Sequence, residues 1–158
     1  MARGILHPRQ NVAILTISLC GSILDSLHML MRQNDSEKIF ISHASPADNY
    51  FVAWLSSKLK LLGYDVWVKL DELKSGDAFW PEIENAIRNQ SCKFLAIISN
   101  PYMEKIKDPI SGVFKELSCA DRIKDIKGFK TPVRIAAIDE DNFPVQLMGL
   151  NSIDFLDN

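Results

Sequence analysis

The chain has 158 residues, of which 47% are hydrophobic and 24% charged, and its formal net charge is −2 at pH 7. This length and composition indicate one globular domain with a packed core, and the near-neutral charge excludes the basic surface of a domain that binds a nucleic-acid backbone. Cys20, Cys92 and Cys119 lie far apart in the sequence, which argues against a disulfide framework or a zinc site and favours a reducing cytosol.

The first 34 residues differ from the rest of the chain. Residues 11–24 form a charge-free, mostly apolar run, which is shorter than the roughly 20 residues that span a membrane. We favour either an extra helix packed on the domain or an upstream start codon, with the natural product beginning at Met31. Because Arg3 and Arg9 precede the run, a secretory signal is the alternative. We therefore divide the chain into an apolar extension, residues 1–34, and a domain, residues 35–158.

From Lys38 onward, short apolar runs alternate with segments of helical periodicity. The runs predict five strands, at residues 39–41, 65–68, 94–98, 133–138 and 153–155. The third and fourth runs are continuous rather than alternating, which is typical of strands buried on both faces. The alternation of strand and helix predicts right-handed βαβ units. The expected fold is therefore α/β, with a parallel sheet of about five strands and helices on both faces.

Three amphipathic helices are predicted between the strands, because apolar residues recur at steps of three or four. Their stripes are Phe51, Leu55, Leu59 and Leu62 for the first, Phe79, Ile83 and Ile87 for the second, and Val113, Leu117 and Ala120 for the third. Gly63 directly follows the first stripe and predicts a left-handed helix stop. Glu84 and Arg88 predict an i,i+4 ion pair on the second helix.

In a parallel α/β sheet, ligands bind beyond the carboxyl ends of the strands, near the point where the strand order reverses. This rule directs attention to residues 42–47, 69–79 and 99–113.

Three segments, in this order, resemble the TIR domain family. Residues 39–45, Ile-Phe-Ile-Ser-His-Ala-Ser, are similar to its opening strand and turn. Residues 63–67, Gly-Tyr-Asp-Val-Trp, and the loop to Gly76 resemble its second strand and self-association loop. Residues 94–99, followed by Val-Phe-Lys-Glu-Leu at 113–117, resemble the segment that carries the catalytic glutamate of TIR enzymes. The resemblance covers about 118 residues, from Lys38 to Phe155, and implies the flavodoxin-like TIR fold.

Within the family, the chain resembles most the TIR half of bacterial TIR-APAZ proteins, which partner short prokaryotic Argonautes. The shared features are the Ile-Ser-His-Ala turn, the Trp-x-x-x-Glu stretch from Trp80 to Glu84, Cys-Lys-Phe-Leu at residues 92–95 and Leu-Asn-x-Ile-Asp-Phe at 150–155. This resemblance implies cytoplasmic anti-phage or anti-plasmid immunity, in which the partner binds guide and target nucleic acid. It also implies that the chain is a portion of a longer protein. Lys69 is a departure, since many TIR enzymes have an Asp there; Asp71 takes that place only if the loop shifts.

The resemblance implies an NAD⁺ glycohydrolase that releases nicotinamide, takes NAD⁺ as substrate without a further cofactor, and is activated by self-association. Glu116 is the implied catalytic residue. The implied substrate-binding residues are Ser42, His43, Ser45, Gly76, Phe79 and Trp80. The chemistry agrees with a single carboxylate, because nicotinamide leaves a cationic pyridinium as a neutral molecule and needs no general acid. The carboxylate stabilises positive charge on the ribose. No metal is needed, and no metal-ligand cluster is seen in the sequence.

Several of these residues have a structural alternative. Periodicity places Glu116 at the edge of the apolar face, able to reach a cleft mouth without being both buried and unpaired, but a solvated surface charge fits the same pattern. His43 is equally well explained as a turn residue. Ser45 or Asp48 is expected to cap the helix that follows. Phe79 is expected to belong to the core stripe, whereas Trp80 lies off it and is as well suited to a ligand or a neighbouring subunit.

Two further helical residues have a preferred structural interpretation. Glu84 is the second candidate for the catalytic carboxylate, but its pairing with Arg88 favours a surface salt bridge. Cys119 is expected to be a small buried hydrophobe.

The alternative function is a non-enzymatic interaction module, because adaptor TIR domains share the fold. A receiver-like domain is disfavoured, since Ser42 and Ser99 occupy the strand ends where receivers have acidic residues.

Overall fold

The computed structural model of the protein describes residues 38–69, 79–123 and 128–156. Five strands run in chain order: β1 Lys38–Ser42, β2 Asp65–Val68, β3 Lys93–Ile98, β4 Lys130–Arg134 and β5 Ile153–Asp154. Four α-helices accompany them: α1 Asn49–Leu61, α2 Trp80–Asn85, α3 Asn100–Lys105 and α4 Gly112–Asp121. A π-helical stretch, Ala86–Gln90, continues α2. The predicted extension, residues 1–34, lies outside the described residues.

All strand pairs are parallel, and the sheet order is β2-β1-β3-β4-β5. This is the flavodoxin-like order, and it confirms the predicted fold class. The chain leaves β1 towards β2 and then crosses back to β3, so the strand order reverses between β1 and β3. The carboxyl ends of these two strands are therefore the expected place for a ligand.

The core fills both faces of the sheet. Phe40, Phe94 and Ala96 lie in one cluster with apolar residues of α2 and α4, whereas the intervening Ile41 and Leu95 are equally buried. Because side chains alternate along a strand, these two belong to the opposite face. Right-handed crossovers place α1 on that second face. The reason is that the connection from β1 to β2 runs across the sheet in the opposite direction to the connections that lead to β3 and β4.

Helix α1 follows the predicted stripe through Leu55 and Leu59, which are fully buried, but not at Leu62, which is 42% exposed. Val52 is buried as well, while Phe51 is half-buried and packs edge-on against Phe155. The helix stops where expected, because Gly63 has a φ of 92°.

The predicted fourth strand, residues 133–138, is wrong in its bounds. Strand β4 begins at Lys130, so Pro132 lies inside it. The amide of Ile135 donates to Ile98 of β3, whereas the carbonyl of Arg134 accepts from Phe155 beside β5. This alternation points the nitrogen of Pro132 towards the β5 side, where β5 begins only opposite Val133. The missing N–H therefore costs no ladder hydrogen bond.

Helix α2 corrects a second prediction. Its buried face runs through Ile83 and Ile87, as expected, but the aromatic residue that packs against the core cluster is Trp80, not Phe79. Helix α2 begins at Trp80, so Trp80, Ile83 and Ile87 stand at steps of three and four on one face. Phe79 precedes the helix and is 38% exposed. None of the helices in the described ranges is both long enough and apolar enough to cross a bilayer.

Candidate active site

A cleft of about 300 Å³ opens at the carboxyl end of β1. Its walls come from the turn after β1, from Lys69 after β2, and from the segment that links α3 to α4. The cleft therefore lies beside the reversal point of the strand order, as the sheet topology predicts. Its lining residues are Ile41, His43, Ser45, Lys69, Lys105, Asp108, Ser111, Gly112, Val113 and Glu116.

Glu116 reaches the cleft from the second turn of α4. Ser111 caps this helix, since its Oγ accepts a hydrogen bond from the amide of Phe114 at 3.1 Å. Val113 and Leu117 are buried on the core side, as the periodicity predicts. Glu116 is buried too, with only 9% of its surface exposed. The structural alternative for Glu116, a solvated surface charge, is therefore wrong.

The Glu116 carboxylate is held by a partner from the sheet. Ser42, the last residue of β1, donates its hydroxyl hydrogen bond to Oε2 of Glu116 at 2.6 Å. The hydroxyl of Tyr102, which is fully buried, lies 3.5 Å from the same Ser42 oxygen. Ser42 thus satisfies one oxygen of a carboxylate that burial would otherwise leave unpaired.

Burial raises the pKa of Glu116 to about 7, because the charged form loses its hydration. The hydrogen bond from Ser42 and the nearby ammonium groups of Lys69 and Lys105 act in the opposite direction and lower this pKa. The carboxyl group therefore titrates far above the usual range of a glutamate, and perturbed pKa values of this kind cluster at functional sites.

Two of the residues expected to bind substrate line the cleft with Glu116. His43 is only 7% exposed, and its Nε2 lies 3.0 Å from Oδ1 of Asn49. Burial lowers the pKa of His43, which favours the neutral ring at physiological pH. The Oγ of Ser45 is buried and has no hydrogen-bond partner among the described residues.

The turn after β1 is braced by a buried aspartate. Oδ2 of Asp48 accepts hydrogen bonds from the amide of Ala44 at 3.0 Å and from the hydroxyl of Ser99 at 2.8 Å. Asp48 stands at the cap position of α1, yet its side chain makes no capping hydrogen bond. The capping role expected for Ser45 or Asp48 is therefore wrong. The Asp48 carboxylate instead ties the ends of β1 and β3 together, which holds the cleft wall in place.

Four predicted substrate-binding residues are not seen in the lining of the cleft. Ser42 contacts Glu116 but is not part of the cleft lining, and neither are Phe79 and Trp80. Gly76 lies outside the described residues. Whether these four residues contact a substrate stays a prediction.

Glu84, the second candidate for the catalytic carboxylate, is absent from the cleft lining. Its Oε1 accepts from Nε of Arg88 at 2.8 Å, which confirms the predicted ion pair. Cys119 is 3% exposed, as expected of a small buried hydrophobe. Within the described ranges, no group of three His, Cys, Asp or Glu side chains is arranged to hold a metal ion.

Lys105, Asp108 and Gly112 are among the cleft residues that the sequence did not identify as site residues. Lys105 ends α3 and donates a hydrogen bond from Nζ to the carbonyl of Ser45. Asp108 and Gly112 follow in the link to α4. Only their position after β3, in the segment 99–113, pointed to them. A Cβ atom at Gly112 would stand 4.0 Å from Oε1 of Glu116, so the glycine keeps the approach to the carboxylate open.

Comparison with known proteins agrees with this architecture. Residues 39–158 match the sequence profile of the TIR domain family. A segment of 68 residues is 35% identical to the uncharacterized protein y4cD of Sinorhizobium fredii (strain NBRC 101917 / NGR234). That segment is 43% of this chain and 11% of y4cD, so the similarity spans a small part of the larger protein. The profile match covers most of the chain, and the chain belongs to the TIR domain family.

Proposed function

We propose that this TIR domain is an NAD⁺ glycohydrolase and that Glu116 is its catalytic carboxylate. The observation that supports it best is a buried carboxylate that faces an open cleft at the reversal point of the sheet. Burial of an ionisable group is costly. A functional role explains why the fold retains it.

In the proposed reaction, the bond between ribose C1′ and the nicotinamide nitrogen breaks, and its electron pair neutralises the pyridinium. Nicotinamide leaves without protonation, while positive charge develops on the ribose ring. The ionised carboxylate of Glu116 binds the ribose hydroxyls and stabilises that charge. Water then adds to C1′ and releases a proton, which gives ADP-ribose. A cyclic isomer forms instead if a nitrogen of the adenine base takes the place of water.

The wider role is proposed from the family. TIR domains commonly self-associate, and we propose that assembly switches this enzyme on by completing the cleft with a neighbouring copy. A free domain is then nearly silent, because the active arrangement is a minor state until it is assembled. We further propose cytoplasmic bacterial immunity, with a short Argonaute partner that binds guide and target nucleic acid, as in TIR-APAZ proteins.

The alternative is a non-enzymatic TIR module that binds other TIR domains. Lys69 favours it, since many TIR enzymes have an Asp at this position and Lys69 lines the cleft here. The buried Glu116 favours the enzyme, because an adaptor has no need of it.

The test is nicotinamide release from NAD⁺ by the concentrated full chain under a crowding agent, followed by chromatography. Glu116→Gln is the test variant and Glu84→Gln is the matched control, because Glu84 lies outside the cleft. Release by the wild type and by Glu84→Gln, but not by Glu116→Gln, supports the proposal. Equal release by all three removes Glu116 from the mechanism. No release from assembled wild type favours the interaction module.

A further inference from the structure

Two lysine side chains enter the cleft from different elements. Lys69 follows β2, and Lys105 is the last residue of α3, which begins just beyond β3. Since β2 and β3 flank β1 in the sheet, the two lysines approach the carboxyl end of β1 from opposite sides. Both line the cleft that Glu116 also lines.

Within the described ranges, neither ammonium group forms a direct ion pair. Lys105 donates to the carbonyl of Ser45, a neutral acceptor, and an ammonium group has two further hydrogens to donate. Among the described residues, no carboxylate lies within ion-pair distance of Lys69 or Lys105. By contrast, the nearby Lys107 pairs with Glu104 at 2.9 Å.

The polar groups between the two lysines suit an anionic ligand. Ser45 lines the cleft, and its buried hydroxyl has no hydrogen-bond partner in the described part of the chain, so its hydrogen-bonding capacity is unmet. Asp108 also lines the cleft, but its Oδ1 accepts from the amide of Ile110 at 3.1 Å. The positive field reaches the carboxylate, since both lysines lower the pKa of Glu116.

We propose that Lys69, Lys105 and Ser45 form an anion subsite that binds the pyrophosphate of the dinucleotide. This inference rests on the proposed function and specifies the substrate class. In NAD⁺ the pyrophosphate is joined to C5′ of the nicotinamide ribose. If Glu116 binds this ribose, the two lysines beside it are placed to bind the negatively charged pyrophosphate. Phosphate contacts of this kind are charge-assisted and strong. The subsite therefore selects phosphorylated ligands over nicotinamide riboside, which carries the same scissile bond without a phosphate.

The direct test is calorimetric titration of the full chain with inorganic pyrophosphate, which needs no enzymatic activity. The test variants are Lys69→Met and Lys105→Met, because methionine keeps most of the unbranched side chain and removes the charge. Lys107→Met is the matched control, since it removes an exposed lysine outside the cleft. We expect each test variant to weaken binding about tenfold, the effect of one charge-assisted hydrogen bond. The control should bind as the wild type does. Thermal unfolding of each variant confirms that it is folded.

The result that overturns the subsite is pyrophosphate binding that is absent from the wild type or equal in all variants. If Lys105→Met does not fold, because it loses its bond to Ser45, Lys69→Met decides alone.

Steady-state kinetics with NAD⁺ and with nicotinamide riboside separate this inference from the proposed function. The kinetics are measured in alkaline buffer, because loss of either lysine also raises the pKa of Glu116 and would slow both substrates at neutral pH. There, the lysine variants should lose more catalytic efficiency with NAD⁺ than with nicotinamide riboside. If neither substrate is cleaved but pyrophosphate binding still depends on the lysines, the subsite stands and the glycohydrolase fails. If NAD⁺ is cleaved equally well by wild type and variants, the glycohydrolase stands and the subsite fails.

Discussion

Ser42 and Glu116 are 74 positions apart in the chain, yet their side chains meet at 2.6 Å where the first strand ends beside the helix α4. The sheet sets the position of the strand, and packing against the core sets the position of the helix. The contact therefore depends on the whole fold. Because the serine donates to the carboxylate, it favours the ionised form of Glu116 and makes Ser42 a positioning residue for the proposed reaction.

Ser42→Ala should shift the dependence of nicotinamide release on pH. Glu116 acts in its ionised form, so activity rises with pH through a midpoint near its pKa of about 7. Loss of the hydrogen bond raises this pKa, so the midpoint moves upward. Activity at neutral pH should fall by roughly three- to tenfold and recover in alkaline buffer. A pH–rate series measures this. Ser57→Ala is the control, because Ser57 is exposed and donates to Ala53. An unchanged midpoint would mean that Ser42 does not set the charge state of Glu116.

Glu116→Gln should stabilise the protein in alkaline solution relative to the wild type. The pKa of Glu116 is raised from 4.5 to about 7 in the folded state, so between these values the folded chain binds more protons than the unfolded chain. Stability therefore falls as pH rises through this window, and the loss is on the order of 3 kcal/mol for a shift of this size. Glutamine carries no charge and avoids the loss.

Urea unfolding at about pH 5 and about pH 8 tests this linkage. The stability difference between Glu116→Gln and the wild type should move in favour of the variant at the higher pH. A difference that does not change with pH would show that burial does not perturb the carboxyl group.

Gly112→Ala should separate stability from substrate binding. A Cβ at Gly112 would lie 4.0 Å from Oε1 of Glu116, an ordinary contact distance, so the fold accepts it. Alanine also lowers the entropy of the unfolded chain, which stabilises the domain by about 0.5 kcal/mol. The added methyl group narrows the cleft beside the carboxylate, so KM for NAD⁺ should rise severalfold.

Gly63→Ala is the contrasting variant, because Gly63 lies at the end of α1 with a φ of 92° and has open space around it. It should lose about 1 kcal/mol of stability through backbone strain, while KM stays unchanged. Thermal unfolding and steady-state kinetics of both variants make the comparison. A normal KM for Gly112→Ala would place the substrate away from this wall of the cleft.

Trp80→Ala should mainly reduce stability, whereas Phe79→Ala should mainly test substrate binding. Trp80 packs against the core cluster, so its truncation should cost about 3 kcal/mol of unfolding free energy. Phe79 is 38% exposed, so its truncation should change stability by less than about 1 kcal/mol. If Phe79 binds the nicotinamide or adenine ring, as the family resemblance implies, Phe79→Ala raises KM in the assembled enzyme. An unchanged KM would remove Phe79 from the substrate site.

Local patterns were sufficient for most of the elements. The bounds of β2 and β3 agree with the apolar runs to within one residue, and Gly63 ends α1 as expected. Patterns failed where a local rule competed with a tertiary contact. The fourth strand was predicted to begin at residue 133, directly after Pro132, but Pro132 lies inside β4, because β5 has not yet begun beside it. Phe79 fits the apolar stripe in the sequence, but α2 begins one residue later, at Trp80.

The amino-acid sequence alone determined the fold class, the order of the strands and of three helices, and the segment that carries Glu116, but not the helix α3, because periodicity and glycine placement act over a few residues. Only the tertiary structure decided that Glu116 is buried, that Ser42 is its partner, and that Lys69 and Lys105 face it across one cleft. Burial and charge depend on neighbours that the chain brings together from distant positions. No local pattern contains that information, since the same helical stripe fits a solvated glutamate and a buried one equally well.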